Sequence, residues 1–194
     1  MGRKAGVAAE ETKAALLEAA AKVFARRGYD GSSISEITSE AGLTSGAIYA
    51  HYASKAELFN ATLEAYAERD LDQLLGRAGP DVLDALSAVG ATIDRREPTE
   101  ASLLISAIVA ARNDPEVARL LIDGLAGRER VFRALIGSAQ QSNALAGDLS
   151  PAVITRFCLM IAMGSLVVEA LGIEPVPHGE WAKLIERLVG AIRS

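Results

Sequence analysis

The 194-residue chain is poor in the residues that cross-link a fold, break helices or build metal sites. It has one cysteine, two histidines, six prolines and 5% aromatic residues, while 50% of its residues are hydrophobic. A single cysteine, Cys158, excludes an intrachain disulfide and fits a reducing interior. Few prolines and many Ala and Leu favour helix over strand, and no useful stretch alternates with a period of two. The composition therefore predicts an all-α protein.

Targeting and membrane signals are also missing from the pattern. The basic start "MGRKAGVAAEETK" lacks the apolar core of a secretory signal. The longest charge-free apolar run, "FCLMIAMGSLVV", falls well short of the roughly 20 residues that span a bilayer. We therefore expect a soluble, cytoplasmic protein.

Enzyme motifs are absent as well. The sequence contains no GxGxxG, no GxxxxGK and no GxSxG. No Glu-x-x-His occurs that could build a di-iron site in a helical bundle, and one cysteine with two distant histidines, His51 and His178, argues against structural zinc. We expect neither an enzyme, nor a cofactor, nor a metal site.

Positive charge is scarce, and its distribution restricts where nucleic acid could bind. The net charge is −5, and residues 1–60 contain seven Lys/Arg against seven Asp/Glu. The rest of the chain therefore supplies the whole negative excess. A nucleic-acid surface would lie in the first third of the chain and would depend on geometry more than on its electrostatic field.

Helix signals divide that first third into short helices and one long helix. A helix over residues 11–27 ends at Gly28. The capping box "SISE" opens a second helix that Gly42 stops, and Thr44 is a suitable N-cap for a third helix running through Tyr52. The box "SKAE" opens a long fourth helix that ends near Gly76. Short helices joined by a glycine turn predict a helix-turn-helix.

The third of these helices separates into two faces. Ile48 and Tyr52 pack inward with Leu43, while the pairs Ser45/Tyr49, Gly46/Ala50 and Ala47/His51 lie on the outer side. Small residues there let the backbone approach another surface, and the helix N-terminus suits a phosphate. The segment therefore fits a DNA major groove, held largely through the backbone.

The segment "GSSISEITSEAGLTSGAIYAHYASKAELF" resembles the DNA-binding signature of the tetracycline-repressor (TetR) family of bacterial transcriptional regulators. The matching pattern includes a Ser cap, apolar Ile34 and Ile37, "AGL", "IY", "HY", "SK" and Leu58. The resemblance covers roughly residues 11–60; beyond them only the helical character and length agree. It implies two domains, a helix-turn-helix domain over 1–57 and a ligand-binding and dimerisation domain over 58–194, connected by a helix over 58–76.

Carried over position by position, the resemblance assigns the contacts to DNA. The residues that would face DNA are Thr44, Ser45, Gly46, Ala47, Tyr49 and His51, and those that would touch phosphate are Ser33, Ser35 and Lys55. Arg3 and Lys4 would form either a flexible arm in a neighbouring groove or a solvated tail. Many relatives have a basic residue in place of Ser45 and a second histidine in place of Ala50, so the bases that this helix reads do not follow from the family.

The C-terminal part reads as further helices, about nine in the whole chain. The helix starting at Pro151 is apolar nearly all round, so a partner should cover it on every side. Together with the last helix it predicts a homodimer through residues 151–172 and 181–192, as a four-helix bundle that the resemblance also implies. Two recognition helices would then span an inverted-repeat operator.

The resemblance further implies a small-molecule pocket in this part, and its bulky residues suggest an apolar effector. The candidates to line the pocket are Ile105, Val109, Phe132, Leu135, Phe157, Met160 and Met163; each is also explained by ordinary core packing. The predicted function is a ligand-responsive repressor that the effector releases from DNA. The alternative is an all-helical dimeric module that binds protein, without DNA binding.

Overall fold

The computed structural model describes residues 2–77, 82–92 and 98–193. Within those ranges the structure is helical, without a strand; one isolated bridge pairs Leu145 with Arg193. The nine helices of this described part are α1 (Gly2–Arg27), α2 (Ile34–Ala41), α3 (Ser45–Tyr49), α4 (Lys55–Arg77), α5 (Val82–Thr92), α6 (Pro98–Ala110), α7 (Pro115–Gln141), α8 (Pro151–Ala170) and α9 (His178–Ala191). The prediction of an all-α fold with about nine helices is confirmed.

Helix α1 begins at Gly2, nine residues before the predicted start. The intervening sequence is rich in alanine and contains no proline, so nothing in it stops a helix from extending towards the N-terminus. The expectation of a flexible arm at Arg3 and Lys4 is therefore wrong for the backbone, which is helical there. Their side chains lie outside the described residues.

The chain forms two compact units. The first contains Met1–Ala67 and Ser102–Ile122, and the second contains Glu68–Ala101 and Asp123–Ser194. The N-terminal unit thus includes the end of α6 and the start of α7, which are distant in sequence. The predicted domain boundary at residue 57 stays a prediction.

An aromatic cluster forms the centre of the first unit. The ring of Phe24 on α1 lies 4.6 Å from that of Phe59 on α4, and Tyr29, in the turn after α1, lies 5.1 Å from Phe59. Ile37 of α2 and Ile48 of α3 are fully buried in this unit. Because each of the four N-terminal helices contributes buried side chains, the short α2 and α3 are held by packing rather than by their own helix propensity.

The second unit contains a close approach between α5 and α9. Trp181 Nε1 donates a hydrogen bond to the Gly90 carbonyl at 2.8 Å, and a Cβ placed on Gly90 would lie 2.6 Å from Ile185 Cγ2. A separate cluster, Leu83, Ile136, Ala139, Leu145 and Ile154, joins α5, α7 and α8. On the surface, Arg156 of α8 pairs with Glu129 of α7 at 3.0 Å.

Helix α8 exposes apolar side chains along one face. Val153, Phe157, Met160, Gly164 and Val168, here called the outward stripe, recur at spacings of three and four residues and are all exposed. The 20-residue helix is long and apolar enough to cross a membrane by length and composition, although the charge-free run counted above is shorter. It contains Arg156 and Glu169, and such a pattern also fits a helix that another protein surface covers.

Candidate nucleic-acid interface

Helix α2 begins and ends as the sequence predicts. Ser33 Oγ accepts the Glu36 amide at 3.2 Å while the Glu36 carboxylate accepts the Ser33 amide at 3.2 Å, which completes the capping box. Gly42 has φ 66°, a left-handed conformation that favours glycine, and its amide closes the last turn. These two residues fix the length of α2 and the turn that leads to α3.

Helix α3 is shorter than predicted. Thr44 Oγ1 accepts the Ala47 amide at 3.4 Å, so the predicted N-cap is confirmed. The helix ends at Tyr49 rather than Tyr52, and the amides of His51 and Tyr52 then both bond to the Ile48 carbonyl. The last predicted residues therefore form a tight turn, which the periodicity of side chains cannot distinguish from another helical turn.

The two faces of α3 lie as predicted. Ile48 and Tyr52 are buried, whereas Ser45, Gly46, Ala50 and His51 are exposed and Tyr49 is 56% exposed. Ala47 is half-buried. Among the described residues, a Cβ on Gly46 would meet only the Thr44 hydroxyl, at 3.9 Å, so this part of the structure leaves the space beside Gly46 open. The outer face offers exposed backbone, one phenol and one imidazole.

The second capping box, at the start of α4, differs from the standard pattern in one hydrogen bond. Ser54 Oγ accepts the Glu57 amide at 3.1 Å, but the Glu57 carboxylate accepts the amide of Ala53 at 2.8 Å instead of that of Ser54. The fourth helix begins at Lys55 as the box predicts.

Charge on α2 is balanced by the end of α1. Arg27 lies 3.6 Å from the Glu36 carboxylate and Arg26 lies 3.9 Å from that of Glu40. These exposed pairs contribute little to stability. They place positive charge against the two acidic side chains of α2, which reduces the repulsion that those carboxylates would exert on a phosphate.

Ser33 and Ser35 are both exposed on the first turn of α2, where the predicted phosphate contacts would lie. The hydroxyl of Ser33 already serves as the helix cap, so a phosphate would share it. These contacts stay predictions, as do those of Thr44, Ser45, Gly46, Ala47, Tyr49 and His51.

Lys55 has a role that the sequence did not indicate. Its ammonium donates to the carbonyls of Tyr29 at 2.9 Å and Ser32 at 3.2 Å, and lies 4.3 Å from the centre of the Tyr29 ring. An ammonium has three N–H donors, so one remains for the predicted phosphate contact. The partners are more than 20 residues away along the chain, which is why local patterns miss them.

Tyr29 is a second residue that the sequence analysis missed. Its amide donates to Ser106 Oγ at 2.7 Å and its hydroxyl donates to Asp114 Oδ2 at 2.9 Å. Burial, followed by the hydrogen bond to the Asp114 carboxylate, raises the pKa of the Tyr29 phenol. The same hydrogen bond lowers the pKa of Asp114.

The predicted pocket residues fall in both units. Ile105 and Val109 belong to the first unit; Phe132, Leu135, Phe157, Met160 and Met163 belong to the second. Ile105, Phe132 and Met163 are half-buried, but Val109, Leu135, Phe157 and Met160 are exposed. Phe157 and Met160 lie on the outward stripe, so in this chain they are better placed to contact a second surface than to line an interior pocket.

Comparison with known proteins matches the N-terminal helices. Residues 16–62 fit the family model of bacterial regulatory proteins, tetR family. The chain is 41% identical over 68 residues to the HTH-type transcriptional regulator TtgR of Pseudomonas putida, which covers 35% of this chain and 32% of TtgR. It is 41% identical over 61 residues to the HTH-type transcriptional repressor BepR of Brucella suis, 31% of this chain and 29% of BepR. The matched segment thus spans about a third of each of these relatives.

The resemblance of fold extends further than that of sequence. The TetR-family transcriptional regulator from Cytophaga hutchinsonii aligns with a TM-score of 0.75 at 16% identity, covering 95% of this chain and 96% of that structure. At that identity the alignment shows a shared fold. The two relatives named above are regulators of transcription. This agrees with the prediction that the protein is not an enzyme. Its N-terminal helices therefore match the model of the tetR family of bacterial regulatory proteins, and the chain shares the fold of a TetR-family regulator over nearly its whole length.

Proposed function

We propose that this protein is a DNA-binding transcriptional repressor that binds an inverted-repeat operator as a homodimer in the cytoplasm and is released by a small, largely apolar molecule. The observation that carries the proposal is the outer face of α3. Its small side chains leave backbone accessible beside the exposed Tyr49 and His51. A surface of this kind can enter a major groove closely, with the two longer side chains reaching base edges or phosphates.

The helix caps support this docking mode. Caps at Ser33 and Thr44 fix where α2 and α3 begin, and Gly42 fixes the turn between them. Rigid placement matters because the first 60 residues carry no net charge and cannot rely on a strong general attraction to phosphates. Shape and a few hydrogen bonds must then supply most of the affinity.

The outward stripe supports the homodimer. Phe157 is 52% exposed and Met160 is 65% exposed, although both are large and apolar, and Leu184 and Leu188 of α9 are also exposed. Contiguous apolar surface on a protein of this composition marks an interface. A second copy presenting the same helices would cover it through two-fold symmetry, with α8 and α9 of each copy forming a four-helix bundle.

Release by an effector is supported by the match to the tetR family model and by the continuity of α4. This helix begins directly after the DNA-reading helices, at Lys55, and continues to Arg77. An effector bound among the C-terminal helices would shift α4 and change the spacing of the two recognition helices. Such coupling is reciprocal and is typically about 1–3 kcal/mol. Repression is proposed by analogy with BepR, which is named a repressor.

The test is selection of random double-stranded DNA by the purified full-length protein at low and moderate salt. We expect recovery of an inverted repeat, with affinity that falls as salt rises because phosphate contacts release counterions. Tyr49→Ala should weaken binding of that repeat by roughly 1–3 kcal/mol while the dimer stays intact. The matched control is Val176→Ala, an exposed substitution in the linker before α9. Equal binding by Tyr49→Ala and wild type would place the DNA-binding surface elsewhere.

The second candidate is a protein-binding module, favoured by the zero net charge of residues 1–60. Such a module would recover no duplex in the selection, also after denaturation and refolding to remove any bound effector. It would also lack the steep salt dependence of a DNA-binding protein. The same selection therefore distinguishes the two candidates.

A further inference from the structure

The corner between α6 and α7, residues 106–116, contacts the DNA-reading part of the chain at two places. Tyr29, before α2, donates its amide to Ser106 Oγ and its hydroxyl to Asp114 Oδ2. Ser54, after α3, donates its hydroxyl to Glu116 Oε1 at 2.9 Å. Both ends of the segment that contains α2 and α3 are therefore bonded to the same corner.

Asp114 connects this corner to the backbone of α7. Its Oδ1 accepts the amides of Glu116 at 2.9 Å and Val117 at 3.3 Å, which makes it the N-cap, while its Oδ2 accepts the Tyr29 hydroxyl. One carboxylate thus fixes the first turn of α7 and the position of Tyr29. A displacement of the first turn of α7 moves the partner of Tyr29 with it.

A short path leads from Tyr29 to α2. The buried Ser32 hydroxyl donates to the Tyr29 carbonyl at 2.7 Å, and Lys55 binds the carbonyls of both residues. Ser32 directly precedes Ser33, the N-cap of α2. Each step is a hydrogen bond to backbone or a peptide bond, so the turn moves as one piece with the start of α2.

We propose that the α6–α7 corner sets the position of α2 and α3, with Tyr29 as the positioning residue. Movement of α6 or α7 then reaches the DNA-reading helices without passing along α4. The effect on DNA binding rests on the proposed function. The link between the α6–α7 corner and α2 does not, because it consists of hydrogen bonds within the protein. It adds a second route by which an effector could change operator affinity.

The test compares amide hydrogen exchange in the full-length protein for Tyr29→Phe, Asp114→Ser and the double variant. Phenylalanine keeps the ring against Phe59 and Lys55 but removes the hydroxyl, and serine keeps the N-cap of α7 but removes the carboxylate. Each single variant should speed exchange of residues 33–51 about fivefold, a fold-change expected for losing one such hydrogen bond, and leave α8 unchanged. The double variant should add little, because both changes remove the same bond.

The control is Asp148→Ser, the same chemical change at an exposed loop position, which should exchange like wild type. Unchanged exchange of residues 33–51 in both single variants would overturn the proposal. So would acceleration spread evenly through α8, which is the result of a general loss of stability, or additive effects in the double variant.

Operator binding supplies the functional measurement. Tyr29→Phe should weaken binding of a selected duplex several-fold with the same salt slope as wild type, because no phosphate contact has been removed. A changed slope would contradict a positioning role. If wild type selects no duplex, the proposed function fails, while the exchange experiment still decides whether the corner positions α2 and α3.

Discussion

Replacing Gly90 by alanine should separate α5 from α9. The new Cβ would lie 2.6 Å from Cγ2 of the buried Ile185, and 3.4 Å from its Cγ1 and Cδ1. Cγ2 is bonded to the Cβ of a residue that is stiff at χ1, so it cannot turn aside without moving α9. Such overpacking costs about 1–3 kcal/mol, and the better helix propensity of alanine offsets up to about 1 kcal/mol. We therefore expect a net loss of about 1–2 kcal/mol.

The assay is urea unfolding followed by fluorescence at a fixed protein concentration, since the stability of the proposed homodimer would depend on concentration. Trp181 is the only tryptophan, and its indole N–H donates to the Gly90 carbonyl, so its emission reports on this contact directly. The control is Gly127→Ala in α7, where the new Cβ meets, within the described part of the chain, only the Arg130 guanidinium at 3.9 Å; it should stabilise by about 0.5–1 kcal/mol. If Gly90→Ala is as stable as this control and its tryptophan emission is unshifted, the close packing of α5 against α9 is refuted.

Four further changes test other parts of the structure. Thr155 is 2% exposed and its hydroxyl has no hydrogen-bond partner among the described residues, so Thr155→Val should stabilise by about 1 kcal/mol in thermal unfolding. Ser33→Ala should cost about 1 kcal/mol in the same assay because it removes the α2 cap. Met160→Glu should yield monomer in sedimentation, whereas Val131→Glu, at a comparably exposed apolar position on α7, should not. The pKa of Asp114 is lowered in the folded protein, so its carboxylate stabilises the fold above the ordinary pKa of 3.8 and this stabilisation is lost as pH falls below that value. In Asp114→Ser the free energy of unfolding should therefore depend less steeply on pH in the acid range than in wild type.

Each of these has a clear contrary result. A less stable Thr155→Val would mean that the hydroxyl has a partner in solution. If Ser33→Ala were as stable as wild type, the Ser33 cap would not stabilise α2. A dimeric Met160→Glu would exclude the outward stripe as the interface. Acid unfolding of Asp114→Ser that parallels wild type would show that the carboxylate gains nothing from Tyr29.

Sequence patterns predicted the caps well because capping is local. Ser33, Gly42 and Thr44 act within a few residues of their own positions, and each has the role that its neighbours indicate. The burial of Ile48 against the exposure of Tyr49 likewise follows from helical spacing. The start of α1 was missed because alanine-rich sequence contains no signal that distinguishes a helix from a tail.

The links around Tyr29 could not be predicted from sequence. Its hydroxyl and amide bond to residues 85 and 77 positions away, and no periodicity or motif connects such distant positions. Lys55 reads as a charge at a helix start, yet most of its donors serve the turn after α1. The predicted pocket residues stay a prediction, because apolar character alone does not separate an interior lining from an exposed interface.

The bonds of the α6–α7 corner have a consequence for exchanging parts between relatives. Residues 1–62 resemble a transferable module, since the family model matches residues 16–62 within them. A chimaera that joined this segment to the C-terminal helices of another regulator would leave Tyr29 and Ser54 facing whatever residues the new host supplies in place of Ser106, Asp114 and Glu116. Transfer of residues 102–122 together with 1–67 would carry the whole bonded unit, and hybrids designed with that second segment should keep both their operator and their response.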